Sequence, residues 1–397
     1  MENNPTKFTV IIPTRERADT LGPCLRTVVH QNYDNLEILV SDNFSQDCTE
    51  QVVRAIGDSR LKYINTGRRV GMSANFEFAL SHIKDGWVTY LGDDDGLLPN
   101  ALDFADKIIR KTGCKAISSK WHHYTWPNFD GVERPNWLTV RLGKGYEIRN
   151  GKLGLTAALR GKQSYLELPG IYIGGFADYE TLARLRNNCG KFFCSKSPDV
   201  YAAVALASAL DTYVYIDQPL AICGASAHSI GASHFGWSRN ASASAVFDSE
   251  SEIPFHRALG DGKVRSIHLL LYEAYLQASH LHNDFAHASM SEQLALSIAH
   301  SPNGTSSVED YCKAIAEAQG LDFGAIRKSA RRIALKSKVR RTYAKLRSPF
   351  CEFAIDGRSL GLMDVFDASI ACQSLYFQST SNSLWKIKKV LRKFSTG

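Results

Sequence analysis

The sequence predicts an α/β fold, a mostly parallel sheet with helices on both faces, followed by a helical C-terminal region. Three observations predict it. Short apolar runs alternate with helix-period stripes through the first 120 residues, the rhythm of β-α-β units whose strands are buried on both sides. Each of the first four runs is followed by a polar turn, and in a parallel sheet such turns gather at one edge. Beyond about Gly236 helical spacing takes over, with Val264, Ile267, His268, Leu271 and Tyr275 on one face. A boundary near residue 240 divides the chain into 1–240 and 241–397.

The elements follow in order. Phe8–Ile12 reads as a buried strand ending at Pro13, and Leu21, Leu25 and Val28 as a helix face in which Pro23 suits the first turn. Leu36–Val40 and Leu61–Ile64 are the next strands. A helix follows with Phe76, Leu80 and Ile83 inward, then a fourth strand at Trp87–Leu91. Leu102, Ala105, Ile108 and Ile109 line a further helix before a strand at Lys115–Ser119. From Trp121 to Gly145 the pattern breaks into Trp, Tyr, Pro and Gly, as in an excursion over the sheet edge. Helices near 150–160, 179–186 and 198–210 and short strands at Tyr213–Ile216 and Leu220–Cys223 complete the first region.

Composition narrows the class. At 44% hydrophobic and 22% charged residues the chain is an ordinary globular one. No apolar stretch reaches the roughly 18 residues of a membrane span, and the N-terminus MENNPTKFTVII lacks the basic start of a secretory signal. Nine cysteines without a CxxC pair fit reduced thiols in the cytoplasm. The formal charge of +7 is uneven: ten Lys and Arg fall within Arg327–Arg347 and five within Lys386–Lys393. Setting those fifteen aside from the 47 leaves 32 basic residues against 40 acidic ones, so a basic tail sits on an acidic body.

Four turns carry the chemistry. Leu91-Gly92-Asp93-Asp94-Asp95-Gly96 crowds three carboxylates directly after the fourth strand. Such crowding becomes favourable when a hard cation with oxygen ligands neutralises it. Val40-Ser41-Asp42-Asn43-Phe44-Ser45-Gln46-Asp47 offers Asp42 to a base or ribose, while Asp47 suits a helix cap. Pro13-Thr14-Arg15-Glu16-Arg17 brings two arginines that can face an anion. Gly71-Met72-Ser73-Ala74-Asn75 opens a helix, whose free N–H groups favour phosphate.

In combination these turns resemble the inverting family 2 glycosyltransferases of bacterial polysaccharide type, which have a GT-A fold. Pro13, Thr14 and Arg17 match that family's first motif, the stretch through Asp42 and Asp47 its second, and Gly71 and Asn75 the helix-opening segment. Asp93-Asp94-Asp95 matches its Asp-x-Asp motif, with Leu98-Pro99 behind and with Gly92 where Asp is usual. The match covers about residues 6–112. It implies that Pro13, Thr14, Arg15, Arg17, Asp42, Gly71, Asn75 and Asp93 bind a nucleotide-sugar donor, UDP-linked above all. Mn²⁺ or Mg²⁺ would be held by Asp94 or Asp95 with His228, and His234 is the second histidine.

The resemblance also implies an acidic catalytic base opening a later helix. Asp199 in Ser197-Pro198-Asp199-Val200 fits it, ahead of Asp178 and Glu180. The expected acceptor is a growing glycan or lipid-linked oligosaccharide. Leu384, Ile387, Leu391 and Phe394 share one helical face amid lysines, as in a helix lying on an anionic membrane surface. The resulting expectation is a cytoplasmic enzyme, peripheral on the inner face of the cell membrane. A sugar-nucleotide nucleotidyltransferase would need a Gly-rich loop after the first strand, which Pro13–Arg17 lacks. A non-catalytic glycan- or nucleic-acid-binding protein would use Arg327–Arg347, but only Tyr343 interleaves that run, and no nucleic-acid partner is expected.

Overall fold

The computed structural model describes residues 5–131, 133–229, 249–263, 266–281, 288–301 and 306–381. The division near residue 240, His234 and the amphipathic tail therefore lie outside the described residues.

The N-terminal half alternates β1 (Phe8–Thr14), α1 (Ala18–Val29), β2 (Leu36–Asp42), α2 (Thr49–Ala55), β3 (Leu61–Asn65), α3 (Met72–Leu80) and β4 (Trp87–Tyr90). Then come β5 (Gly96–Leu97), α4 (Ala101–Thr112), β6 (Ala116–Thr125), β7 (Trp137–Arg141) and β8 (Tyr146–Asn150), followed by α5 (Gly151–Leu159). A short β9 (Phe176–Asp178) leads into α6 (Tyr179–Cys189), α7 (Pro198–Ala209) and β10 (Thr212–Ala225). The C-terminal region holds α8 (Ile267–Gln277), α9 (Met290–His300), α10 (Ser306–Ala318), α11 (Phe323–Cys351), β11 (Glu352–Asp356) and α12 (Val365–Ser381).

One sheet runs β11-β7-β6-β9-β4-β1-β2-β3, with β10 pairing β5, β6 and β8. It is mixed. β3, β2, β1 and β4 are parallel, as are β6 and β10, while β9 is antiparallel to both β4 and β6. Two reversals restore direction, so β6 and β10 run the same way as β4. The carboxyl ends Thr14, Asp42, Asn65, Tyr90, Thr125 and Ala225 thus share one edge.

Both faces are covered. Against one pack α3, α5, α7 and α8 through residues such as Phe76, Leu155, Val204 and Leu271. Against the other pack α1 and α4 through Leu21, Leu25, Leu102 and Ile109, while α12 covers β7 and β10 with Val365 and Cys372.

Four expectations need correction. The third strand is half-exposed, because β3 is the sheet's outermost member. The break read from Trp121 to Gly145 is an excursion only over 126–136 and 142–145: Trp121–Thr125 belongs to β6 and Trp137–Arg141 is β7. The two strands read at 213–216 and 220–223 are one strand with an irregular register between Ile216 and Ala221, near Pro219. Finally Pro23 sits in the second turn of α1, where it removes one helical N–H.

Candidate active site

The acidic turn is the floor of the site. Leu91 N–H still donates to Ile11 O at 2.9 Å, so the chain leaves β4 under backbone restraint. Asp93, Asp94 and Asp95 are all buried, at 3%, 6% and 1% exposure. Three charges in a dry site need compensation, and each finds a different kind.

Asp93 accepts from Arg17 Nη1 at 2.7 Å, and Arg17 Nη2 donates to His228 O at 2.5 Å. Burial raises the Asp93 carboxyl, and Arg17 offsets part of that rise. Burial likewise opposes charge on Arg17, yet Asp93 and Asp94 hold the guanidinium firmly protonated. The Thr14 hydroxyl beside Asp93 is buried without a well-formed hydrogen bond.

Asp94 Oδ2 accepts from Ser226 Oγ at 2.7 Å, Ser229 Oγ at 2.6 Å and Ser226 N at 3.3 Å. Trp126 Nε1 donates to its backbone oxygen at 3.0 Å. Among the described residues Asp94 Oδ1 takes no hydrogen bond.

Asp95 turns into the protein, where its carboxylate accepts from Gly92 N at 3.1 Å and Gly224 N at 2.7 Å. Burial and then the Asp94 charge push its carboxyl well above the usual range. A side chain at 92 would meet Asp95 Oδ2 at 2.5 Å and Tyr172 Oη at 2.7 Å, which is the physical reason for glycine there.

The chemistry of this donor set fits a hard divalent ion. Such ions keep waters and need only one or two carboxylates besides substrate phosphates. Asp94 offers Oδ1, and Asp93 engages Arg17 through Oδ1 only. No cluster of three His, Cys, Asp or Glu suited to a metal occurs among the described residues. The expected place of His228 differs: its ring Nε2 lies 3.4 Å from Asp19 Oδ2, and its backbone, not its imidazole, joins the site. Asp95, expected as a ligand, is taken up by backbone N–H groups.

The other turns lie at the same edge. Asp42 is saturated: Ser45 N and Oγ donate to Oδ1 at 3.1 and 2.6 Å, and Tyr63 Oη and Asn65 Nδ2 to Oδ2 at 2.6 and 3.0 Å. A carboxylate has about four such positions, so Asp42 braces β2 against β3. Asn75 is buried with its amide spanning Ser41, accepting from Oγ at 2.7 Å and donating to the carbonyl at 3.1 Å. Pro13 stands opposite Ser41 in the β1–β2 register. Arg15 pairs with Glu250, whose carbonyl would lie 2.8 Å from a side chain at Gly71. The start of α3 is thus roofed by residues 250–252.

Asp199 follows Pro198, the first residue of α7. Tyr165 Oη donates to Asp199 Oδ2 at 3.3 Å, and burial raises its carboxyl above the ordinary range. Tyr172 joins the halves. Its phenol is raised by burial first and then by the charges of Asp95 and Asp94, and it also feels Asp199. Asp178 and Glu180 fall elsewhere: Asp178 pairs in register with Trp87 at the amino end of β4, the opposite edge, where it caps α6.

Sequence reasoning missed Tyr165, Tyr172, Ser226 and Ser229. The glycines around Tyr172 (Gly170, Gly174, Gly175) marked a close approach of backbone, and Ser226 and Ser229 flank the histidine that drew attention instead. Ile173 holds a left-handed φ of 44°, rare for a β-branched residue, directly after Tyr172.

The family model described as "Glycosyl transferase family 2" matches residues 9–160. The chain is 37% identical over 99 residues to the Campylobacter jejuni "GalNAc(5)-diNAcBac-PP-undecaprenol beta-1,3-glucosyltransferase", covering 24% of this chain and 32% of that protein. To the Escherichia coli "UDP-Glc:alpha-D-GlcNAc-diphosphoundecaprenol beta-1,3-glucosyltransferase WfgD" it is 24% identical over 193 residues, 47% of this chain and 75% of that one. The first of these matches therefore spans about a third of the relative's length. Among solved structures, S. aureus TarS 1–349 overlays with a TM-score of 0.43 at 14% identity, covering 84% of this chain and 91% of that one.

Proposed function

From the premise that residues 9–160 form a glycosyl transferase family 2 domain, we propose that the chain is a nucleotide-sugar-dependent glycosyltransferase. It moves a sugar from a UDP-linked donor to a glycan or lipid-linked oligosaccharide with inversion. The observation that carries this reading is the buried acidic turn Asp93–Asp95, in which Arg17 holds Asp93 and the Ser226 hydroxyl holds one oxygen of Asp94. That turn lies at the carboxyl edge where α/β sheets bind ligands, and Tyr172 feels the charges of Asp95, Asp94 and Asp199. The names of the two relatives, both acting on undecaprenol-linked sugars, support that acceptor class, and the name of WfgD supports UDP.

Asp199 is the general base. It stands in the first turn of α7, and its raised pKa brings it nearer the operating pH, where a base works best. Arg17 holds Asp93 in place and, with the start of α3, favours the anionic donor. Asp94, with Asp93, would hold Mn²⁺ or Mg²⁺, whose charge neutralises a leaving diphosphate. Ser226 and Ser229 orient Asp94, as outer partners orient metal ligands generally. Asp42 and Asn75 act by fixing the β2 turn rather than by spare hydrogen bonds. No helix among the described residues is long and apolar enough to cross a membrane, and the basic tail supports peripheral attachment from the cytoplasmic side.

Hydrolysis of a panel of nucleotide sugars, with and without Mn²⁺ or Mg²⁺, tests the reading. Metal-dependent release of a nucleoside diphosphate by the wild type, lost in Asp94→Ala, is expected. A protein that neither binds nor cleaves any donor with any metal would sink it.

A further inference from the structure

A second concavity opens at the same edge, three strands from β4. Its volume is about 450 Å³, and it is lined by His123, Glu133, Arg134, Trp137, Thr139 and Arg141. β7 runs antiparallel to β6, so Trp137 and Thr139 stand opposite Thr125 and His123. Residues paired in register share a face. His123 is also paired with Cys223 of β10, which puts Thr139, His123 and Cys223 in one row across the sheet.

That row leads to the acids. Gly224, the residue after Cys223 on β10, donates its N–H to Asp95 Oδ1 at 2.7 Å. β6, which lines the groove through His123, is thus one strand spacing, about 5 Å, from the strand that holds Asp95. A second link is Trp126, at the end of β6, which donates to the backbone of Asp94.

The walls have a distinct chemistry. Arg134 lies over the Trp137 ring at 5.1 Å and Arg141 over the Trp121 ring at 5.2 Å. Each pair is held by cation–π attraction, with Arg134, Trp137 and Arg141 lining the groove. Arg141 is partly committed, donating to Trp121 O at 3.2 Å and lying 3.5 Å from Glu352. Glu133 is engaged by His123 at 2.9 Å. Arg134 has no ion-pair partner among the described residues. The Trp137 indole offers apolar surface to a sugar ring, and the Arg134 guanidinium beside it, engaged with the ring but with no ion pair among the described residues, suits a phosphate.

We propose that this groove is a glycosyl-phosphate subsite, which seats the sugar and phosphate of the acceptor while its hydroxyl reaches towards Asp199. Its role as an acceptor subsite rests on the transferase reading above; its ligand class rests on the groove itself.

The test is calorimetric titration of the full chain with N-acetylglucosamine 1-phosphate, with the donor site filled by UDP. Parallel titrations use N-acetylglucosamine, inorganic phosphate and a short-chain prenyl-diphospho-N-acetylglucosamine. The wild type is expected to bind the sugar phosphate at least tenfold more tightly than either the sugar or phosphate alone. Trp137→Ala and Arg134→Ala should each weaken it at least tenfold, and Trp137→Phe and Arg134→Lys, which keep the fold with less risk, should fall between. A tighter prenyl diphosphate identifies a lipid-linked source, and equal affinity a free sugar phosphate; both support the class. Absence of wild-type binding, affinity matched by inorganic phosphate, or variants that bind like the wild type would each overturn it. UDP titration alone reports the donor site, so a chain that bound UDP and hydrolysed donor but left the groove empty would refute this subsite and spare the transferase reading.

Discussion

Gly92 and Asp95 close a ring of their own: the Gly92 N–H donates to Asp95 Oδ2 at 3.1 Å, and a methyl group at 92 would lie 2.5 Å from that same oxygen. The oxygen cannot retreat freely, since Asp95 also accepts from Gly224 N. Gly92→Ala should therefore destabilise the fold by about 1–3 kcal/mol, the usual range for overpacking. Gly92→Asp, which restores the residue common in the family, should cost more, because it adds a fourth buried carboxylate. Urea unfolding checks both; a Gly92→Asp protein as stable and active as the wild type would show that Tyr172 and Asp95 can move aside.

Ser226 and Ser229 both donate to Asp94 Oδ2. Removing both hydroxyls leaves that oxygen short of its two strongest bonds and frees the carboxylate to rotate. Loss of such outer partners typically costs about 10–100-fold in metal affinity. The Ser226→Ala/Ser229→Ala double variant should need that much more Mn²⁺ for half-maximal donor hydrolysis, while Asp94→Asn should lose at least about a hundredfold in rate, ~2.7 kcal/mol. An unchanged Mn²⁺ requirement in the double variant would remove Asp94 from the ion.

How much of this was legible follows from sequence distance. The strand ends, the acidic turn and Asp199 are local signals, carried by apolar runs meeting polar turns within a few residues. The partners of those groups are not local: Ser226 lies 132 residues from Asp94, and Arg17 lies 76 from Asp93. No period or propensity encodes such pairs. The strands within 121–141 are masked because His122 and Tyr124 face α12 while His123, Trp137 and Thr139 line the groove, so both faces carry aromatic or polar residues and the period-2 contrast is lost. β11 is hidden differently: in Glu352-Phe353-Ala354-Ile355-Asp356 three apolar residues stand between two acids directly after a long basic helix, so no apolar run marks the strand.

Arg17 and Asp93 form a largely buried pair, with side-chain exposures of 15% and 4%. Removing one partner of such a pair leaves an uncompensated charge and costs about 3–5 kcal/mol. Arg17→Met should approach that loss, and adding Asp93→Asn should recover much of it. Chemical denaturation of the two single variants and the double variant measures the coupling. Purely additive losses would mean that Arg17 stabilises the site through the His228 carbonyl and not through Asp93.

Asp199 sets the pH dependence. Burial raises its carboxyl in the folded protein, so the base form fills only at a pH above that of an exposed aspartate. Activity measured as kcat/KM should rise with pH along an acid limb that Asp199 governs. Asp199→Asn should abolish that limb and lower the rate by about 10²–10⁴-fold, the range for a lost general base. The stability sign runs the other way. A group with a raised folded pKa stabilises the fold at low pH, and that contribution is lost as pH rises through the folded value. Above it the wild type carries a poorly solvated charge that the amide does not, so Asp199→Asn should unfold no more easily than the wild type at neutral pH. Asp178→Asn serves as the contrast: asparagine caps a helix about as well as aspartate, so it should keep both the cap of α6, where Thr181 N donates to Oδ2 at 3.4 Å, and the acid limb. An acid limb that survives in Asp199→Asn and vanishes in Asp178→Asn would move the base to the other edge of the sheet and end the assignment made here.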